Sequence, residues 1–144
     1  MSSTYLVGLD GSEESLRAAA YAADHATHTG AKLILVHAIE WSGFDIMGPE
    51  ELAERHKIRE AELERAQEMI IQPALAAIGD KDVTVDSVLH HGHAAKTLLK
   101  MVDDYGATHV FIGRHGASRL EVAIIGSVAN SIIQVSPVPV TAVP

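Results

Sequence analysis

The chain has 144 residues, of which 47% are hydrophobic and 21% charged, and 11 basic against 19 acidic residues give it a formal net charge of −8. This composition is typical of one globular domain over residues 1–144 and excludes a disordered chain. The negative charge disfavours sequence-independent binding of nucleic acid, and the absence of cysteine excludes disulfides, thiolate metal sites and cysteine nucleophiles.

The first part of the chain alternates between a strand and a helix. Residues 4–10 are apolar and end in turn-forming residues, which indicates a buried strand. Ser12 is a suitable N-cap, alanine and leucine then recur at helical spacing, and Gly30 ends the helix. A second strand is predicted at 32–40 and is followed by a glycine-rich loop.

A long, charged helical segment is predicted over residues 50–78. Its inner stripe includes Ala66, Ile70 and Ala77. Pro73 lacks a backbone N–H and clashes with the preceding turn, so we expect the helix to kink or break there.

The second half of the chain continues the alternation. A third strand at 83–90 precedes a helix that Gly106 closes, and a fourth strand at 108–113, a helix at 127–135 and a fifth strand at 138–143 follow. Strands separated by helices pair in parallel through right-handed crossovers. The sequence therefore predicts an α/β fold of three layers with a five-stranded parallel sheet.

Ligands of such sheets bind beyond the carboxyl ends of the strands, where the strand order reverses. After the fourth strand the chain reads GRHGASRLEVAIIGS. Gly113 and Gly116 bracket a tight turn, and Gly126 with Ser127 opens the last helix, where free amides and the helix dipole can hold a phosphate. On the residues alone, these glycines could equally serve only to end a strand, make a turn and start a helix.

Two phosphate-binding motifs are missing from the sequence. The chain has no G-x-x-x-x-G-K-[ST], and GLDGSE after the first strand does not supply G-x-G-x-x-G. These absences argue against a P-loop enzyme and against a dinucleotide-dependent dehydrogenase.

The spacing G-x2-G-x9-G-[ST], filled by Gly113, Gly116, Gly126 and Ser127, resembles the ATP-binding signature of the universal stress protein family. The segments VGLDGSEESLRAAAYAA and GSVANSIIQVSPVPVTAV resemble the start and the end of that family, so the resemblance covers the whole chain. It implies a doubly wound, Rossmann-like sheet of order 3-2-1-4-5 with an adenine nucleotide between the first and fourth strands.

The same resemblance implies which positions contact ATP, bound with Mg²⁺. Asp10 corresponds to the acid near the ribose and the metal, Gly8 and Leu9 to the pocket floor, Ala38 to the backbone that recognises adenine, and Gly92 to a loop beside the base. The phosphate and ribose segment corresponds to Gly113, Arg114, Gly116, Gly126, Ser127, Val128 and Ala129.

Four polar residues near this segment leave alternatives open. A lone carboxylate beside phosphates suggests that Asp10 binds ribose hydroxyls or shares Mg²⁺, unless it only forms an Asx turn before the first helix. Arg114 and Arg119 either clamp phosphate or are solvated loop charges. His115 either contacts phosphate or faces water, and no carboxylate at an evident spacing supports a role in proton transfer.

The histidines of HHGH at 90–93 favour no metal site. Adjacent side chains of a strand point to opposite faces, so only His91 and His93 could converge, and they would need further ligands.

Pro137 and Pro139, two residues apart, stand at the start of the last strand, which is typical of a sheet edge. An exposed apolar edge needs pairing or capping. The family resemblance implies a homodimer through this strand, between Val138 and Val143, and the alternative is a capped edge in a monomer.

We expect a cytoplasmic ATP-binding stress-response or regulatory protein whose loops at 41–49 and 116–126 are ordered by nucleotide. No signal peptide and no membrane span are evident. The alternatives are a slow ATPase or nucleotidyl transferase, an AMP- or cyclic AMP-binding signalling protein, and a nucleotide-free interaction dimer. We expect no enzyme, because the sequence shows no evident general base or nucleophile. The protein partner and the stress are not predicted.

Overall fold

The computed structural model of the protein describes residues 3–40, 49–116 and 125–144. The strands are β1 (Thr4–Gly8), β2 (Lys32–Ile39), β3 (Val85–His91), β4 (His109–Gly113) and β5 (Val140–Val143). The helices are α1 (Glu13–Thr29), α2 (Pro49–Ala66), α3 (Gln72–Ile78), α4 (Ala94–Tyr105) and α5 (Ser127–Val135). Within the described residues, none of these helices combines the length and the apolar character needed to cross a membrane.

The strands form one parallel five-stranded sheet in the order β3-β2-β1-β4-β5. The predicted α/β fold and the order 3-2-1-4-5 are therefore confirmed. In the register of the sheet, Leu6 of β1 lies beside Ile34 of β2 on one side and Val110 of β4 on the other. On one side of β1 the chain adds β2 and then β3, and on the other side it adds β4 and then β5. The strand order therefore reverses between β1 and β4, and a ligand crevice is expected at their carboxyl ends.

The two faces of the sheet support separate apolar cores, because successive strand side chains point to opposite faces. The face under α1 and α3 buries Val7, Leu33, Leu35 and Phe111 against the alanines of α1. The face under α4 and α5 buries Leu6, Ile34, Val36, Val110 and Ile112. Each fully buried large apolar side chain contributes about 1.5–3 kcal/mol relative to its exposed form. The predicted three layers are thus present.

Helix α1 begins and ends as predicted. The Ser12 side chain accepts a hydrogen bond from the Ser15 N–H, and Gly30 closes the helix in the left-handed conformation with φ of 75°. The buried side of α1 is almost entirely alanine, which lets the helix lie close to the sheet, but it also contains Glu14 and Ser15.

The predicted break at Pro73 is wrong, because the chain stays helical from Pro49 to Ile78. A π-helical turn over Gln67–Ile71 precedes the proline, and the Gln72 N–H donates to the Gln67 carbonyl. Pro73 then lies in the first turn of α3, where a helix tolerates a missing N–H. The buried residues of this segment are Ala66, Ile71, Ala74 and Ile78, so Ala66 is buried as predicted, whereas Ile71 and Ile78 are buried in place of Ile70 and Ala77.

Strand β5 forms one edge of the sheet. The carbonyls of Pro139 and Val143 accept hydrogen bonds from Val110 and Arg114, at 3.0 and 2.8 Å. The amide that Pro139 lacks would therefore have faced β4, and the strand begins only at Val140. Because strand groups alternate in direction, the backbone groups of Val140 and Ala142 point away from the sheet.

A cluster of rings lies under α1 at the β4–β5 side of the sheet. His109 stacks on Phe111 with ring centroids 4.4 Å apart, and its Nε2 is 2.7 Å from the Thr141 hydroxyl. Burial, and secondarily the nearby His25, lowers the pKa of His109 below its usual value of 6.5.

This lowered pKa predicts how stability depends on pH. The unfolded chain binds the proton of His109 more readily than the folded protein does. The contribution of His109 is therefore fully present above about pH 6.5 and is lost as the pH falls through the folded-state pKa below it. In urea unfolding measured between pH 7.5 and 5, His109→Gln should flatten this decline. An unchanged decline in the variant would contradict the prediction, and an NMR titration of the His109 ring gives the pKa directly.

Candidate functional site

The carboxyl ends of β1, β2 and β4 meet at one edge of the sheet. Beyond β1, the Leu9 N–H donates to the Val36 carbonyl at 2.8 Å, and the His37 ring lies 2.7 Å from the Leu9 carbonyl. Leu9 is buried. A Cβ atom at Gly8 would lie 3.0 Å from Ile112, so packing in the core already explains this glycine.

Asp10 follows directly and forms the Asx turn that was one of its two interpretations. Its Oδ1 accepts hydrogen bonds from the Ser12 N–H at 2.9 Å and from the Ser12 hydroxyl at 2.5 Å. The other oxygen, Oδ2, lies 3.0 Å from where a Cβ atom of Gly116 would stand. Asp10 is exposed, and its Oδ2, which takes no part in the Asx turn, lies next to Gly116.

The glycines of that segment are held at close backbone approaches. Gly116 has φ of +79° and lies against Asp10. A Cβ atom at Gly126 would lie 2.6 Å from the His115 carbonyl carbon, and the Gly126 N–H donates to the Arg114 carbonyl at 2.8 Å. A Cβ atom at Gly113 would lie 3.0 Å from the Cβ of Glu14. The structure thus brings Gly126 against the 113–116 turn, whose last residue lies beside Asp10.

Helix α5 starts at this point. Gly126 is its N-cap, with no side-chain cap, and Ser127 is its exposed first residue. Ala129 is buried and Val128 packs against the core under α4 and α5, so both can offer a ligand little besides their backbone amides. The α5 N-terminus, with its free amides and partial positive charge, therefore lies beside the 113–116 turn.

His115 lies where the sequence interpretation did not place it. It is buried rather than facing water, and it has a carboxylate partner. Its Nδ1 lies 2.7 Å from Glu14 Oε1, and its backbone N–H donates to Glu14 Oε2 at 3.0 Å. Glu14 had no role in the site that was predicted from the sequence. The signal that could have found it is the spacing of Glu14, Ala18 and Ala22, which puts the carboxylate on the buried stripe of α1.

Ala38 and Gly92 lie at the same edge of the sheet, on the β2 and β3 side. Ala38 is paired in register with His90 of β3 and is half-buried. The Gly92 N–H donates to the Ile39 carbonyl at 2.9 Å. Arg114 is exposed at the end of β4. Arg119 and most of the loops at 41–49 and 116–126, whose ordering by nucleotide was predicted, lie outside the described residues. Contacts of Ala38 and Gly92 with adenine stay predictions.

The histidines of the 90–93 segment diverge. His91 Nε2 lies 3.1 Å from Glu62 Oε2, whereas the His93 ring accepts the Lys96 N–H at 3.4 Å and caps α4. Across the parts of the chain that the structure describes, no group of three or more histidine or acidic side chains is arranged to hold a metal ion. Asp10 alone could supply one carboxylate oxygen, which suits Mg²⁺ only if phosphate oxygens and water complete the shell.

The family profile described as the universal stress protein family matches residues 1–144. The chain belongs to the universal stress protein family. Universal stress protein Rv2005c of Mycobacterium tuberculosis is 34% identical over 137 residues, which are 94% of this chain and 43% of that protein. A universal stress protein of Thermus aquaticus is 30% identical over 142 residues, which are 97% of this chain and 97% of that protein. This universal stress protein therefore spans less than half of its mycobacterial relative.

Solved structures of the family share the fold. UspA from Lactobacillus plantarum superposes with a TM-score of 0.83 at 15% identity, over 99% of this chain and 97% of that one. A universal stress protein in complex with cAMP gives a TM-score of 0.63 at 26% identity, over 99% and 96%. The Archaeoglobus fulgidus protein in complex with dAMP gives 0.67 at 20% identity, over 100% and 98%.

Proposed function

We propose that this universal stress protein binds an adenine nucleotide, ATP with Mg²⁺, between the carboxyl ends of β1 and β4, and acts as a cytoplasmic stress-response or regulatory module. The observation that carries the proposal is the arrangement of two glycines at this turn: Gly116, with φ of +79°, lies against Asp10, and Gly126 lies against the His115 backbone at an approach that only glycine permits. A relative that is 26% identical over nearly the whole chain is known in complex with cAMP, which supports an adenine ligand.

The charges fit a backbone-built anion site. A protein with a net charge of −8 repels free anions, so a bound phosphate needs local donors. We place those donors on the turn 113–116, called the phosphate-side segment below, and on the first amides of α5. Asp10 Oδ2 would take ribose hydroxyls or share Mg²⁺ with the phosphates, and its Oδ1 keeps the Asx turn.

Binding rather than turnover is the function proposed. His115 could act as a general base only from an accessible position, and its side chain is 7% exposed and bonded to Glu14. The alternative, a slow ATPase, would show turnover above background that Asp10→Ala removes. A cAMP- or AMP-binding role is the second candidate, because the relative in complex with cAMP supports it.

Mass spectrometry of small molecules released from the purified protein tests the proposal. We expect ATP, and calorimetry with ATP, AMP and cAMP then ranks the ligands, with Mg²⁺ present and absent. Release of AMP or cAMP with no affinity for ATP would replace the main proposal by the second. A protein that is purified empty and binds none of the three would refute both.

We also propose a homodimer through β5, the edge strand of the sheet. The backbone N–H and C=O groups of Val140 and Ala142 point outward, where they can pair with the same strand of a second copy. Ala142→Pro removes one outward amide and leaves the hydrogen bonds of Pro139 and Val143 to β4 intact. We expect sedimentation analysis to give a dimer for the wild type and a monomer for the variant. Dimers of equal strength in both would contradict the proposed interface.

A further inference from the structure

Glu14 is a buried acid that the proposed site leaves without a role. Its side chain is 2% exposed, and both of its carboxylate oxygens contact His115, one at the backbone N–H and one at the ring. Because Nδ1 faces a carboxylate oxygen, the ring carries its proton on Nδ1 and donates it. Burying a carboxylate is costly unless it is paired and hydrogen-bonded, so the contact fixes the position of His115 strongly.

The position of His115 determines the position of the rest of the phosphate-side segment. On one side, a Cβ atom at Gly113 would lie 3.0 Å from Glu14 Cβ, so β4 ends directly against α1. On the other side, the His115 carbonyl group lies against Gly126, which in turn donates to Arg114. A movement of His115 away from Glu14 would therefore move both the segment and the start of α5.

We propose that Glu14 is a positioning residue for nucleotide binding: acting through His115, it holds the amides of the phosphate-side segment and of the α5 N-terminus in place. This inference rests on the proposed function. For the effect of neutralising Glu14 on nucleotide binding, it predicts the opposite of what electrostatic repulsion alone predicts. A carboxylate near phosphates repels them, so neutralising Glu14 should tighten binding if the residue acts only by its charge, and should weaken binding if it acts by position.

The sign of the change in Glu14→Gln is therefore the test. The amide side chain of this variant offers only one acceptor oxygen for the two donors of His115. We expect calorimetry with Mg²⁺ and ATP to give about tenfold weaker binding, the effect of about one hydrogen bond to a charged group. Glu13→Gln is the matched control, because Glu13 lies in the same turn and is 90% exposed. It should bind equally or slightly more tightly. Equal or tighter binding by Glu14→Gln would overturn the inference.

A readout without nucleotide separates this inference from the proposed function. In the unliganded protein, the amides of His115 and Gly126 should exchange hydrogen faster in Glu14→Gln, while the Ser15 amide, held by Ser12, should not change. The ring nitrogens of His115 should also show a shift of the proton from Nδ1 to Nε2 by NMR. Unchanged exchange at both amides overturns the role of Glu14 whether or not nucleotide binds.

Glu14→Asp separates reach from charge. It keeps the negative charge but shortens the side chain by one methylene, so it should also weaken ATP binding and speed the exchange of the His115 amide. Wild-type behaviour of this variant would count against positioning. If the wild type binds no adenine nucleotide while the exchange results hold, the proposed function fails and the structural hold of Glu14 on the segment stands.

Discussion

Gly126→Ala should lower the free energy of unfolding by about 2 kcal/mol or more, as overpacking of a tight contact does, and should weaken nucleotide binding severely. Gly126 has φ of −60°, which any residue adopts, so the whole effect is steric. The new Cβ atom would lie 2.6 Å from the His115 carbonyl carbon, and backbone cannot yield as a flexible side chain can.

Displacing this backbone should remove more than one hydrogen bond to the phosphate. Each hydrogen bond to a charged group is worth about 1.5–3 kcal/mol, so we expect at least about 100-fold weaker binding of ATP, at about 1.4 kcal/mol per tenfold. Calorimetry and urea unfolding measure the two effects.

Gly30→Ala is the matched control for Gly126→Ala. Gly30 has φ of +75° and nothing within 4 Å of a Cβ atom. It should therefore lose about 1 kcal/mol of stability from backbone strain alone and bind nucleotide normally. An affinity of Gly126→Ala equal to that of Gly30→Ala would refute the assignment of Gly126 to the site.

The second large effect is expected from His115→Leu, which removes the ring that donates to Glu14. Removing one member of a buried pair that involves a carboxylate costs about 3–5 kcal/mol in comparable pairs. The backbone N–H of residue 115 keeps its hydrogen bond to Glu14 in the variant. We therefore expect the free energy of unfolding, measured with urea at pH 7, to fall by about 3 kcal/mol, the lower end of this range.

Adding Glu14→Gln to His115→Leu should recover at least about 1 kcal/mol, because a neutral amide costs less to bury than a carboxylate. The same Glu14→Gln change should destabilise the wild type. Opposite signs in the two backgrounds would demonstrate direct coupling. Glu13→Gln, whose side chain is 90% exposed and lies near Arg17, should change both backgrounds equally. Additive effects of Glu14→Gln and His115→Leu would show that the pair does not couple.

Much of the candidate site could be predicted from local sequence. Ser12 and Gly30 bound α1 because capping depends on only a few neighbouring residues. The final helix, 127–135, was predicted with the bounds that it has. The resemblance of Gly113, Gly116, Gly126 and Ser127 to the family's nucleotide-binding signature implied one common site, and the carboxyl ends of parallel strands are where such a site is expected.

Other features depend on contacts between residues far apart in the chain. The Glu14–His115 pair joins residues separated by 101 positions, and no local pattern shows that β4 ends against the first turn of α1. The π turn before Pro73 also depends on distant contacts. Its extra residue lets Ile71, Ala74 and Ile78 pack in the core beside α1.

The sequence by itself thus determined the α/β alternation and the helix caps, because each follows from periodicity or backbone conformation. Its resemblance to the family signature also implied a phosphate-side role for Gly113, Gly116 and Gly126. Only the tertiary structure decided why those residues must be glycine and what holds them. Gly126 is constrained by the His115 carbonyl, Gly116 by Asp10, and His115 by a buried acid of another layer. Steric limits and buried charges act through space, so they emerge only when the layers are packed together.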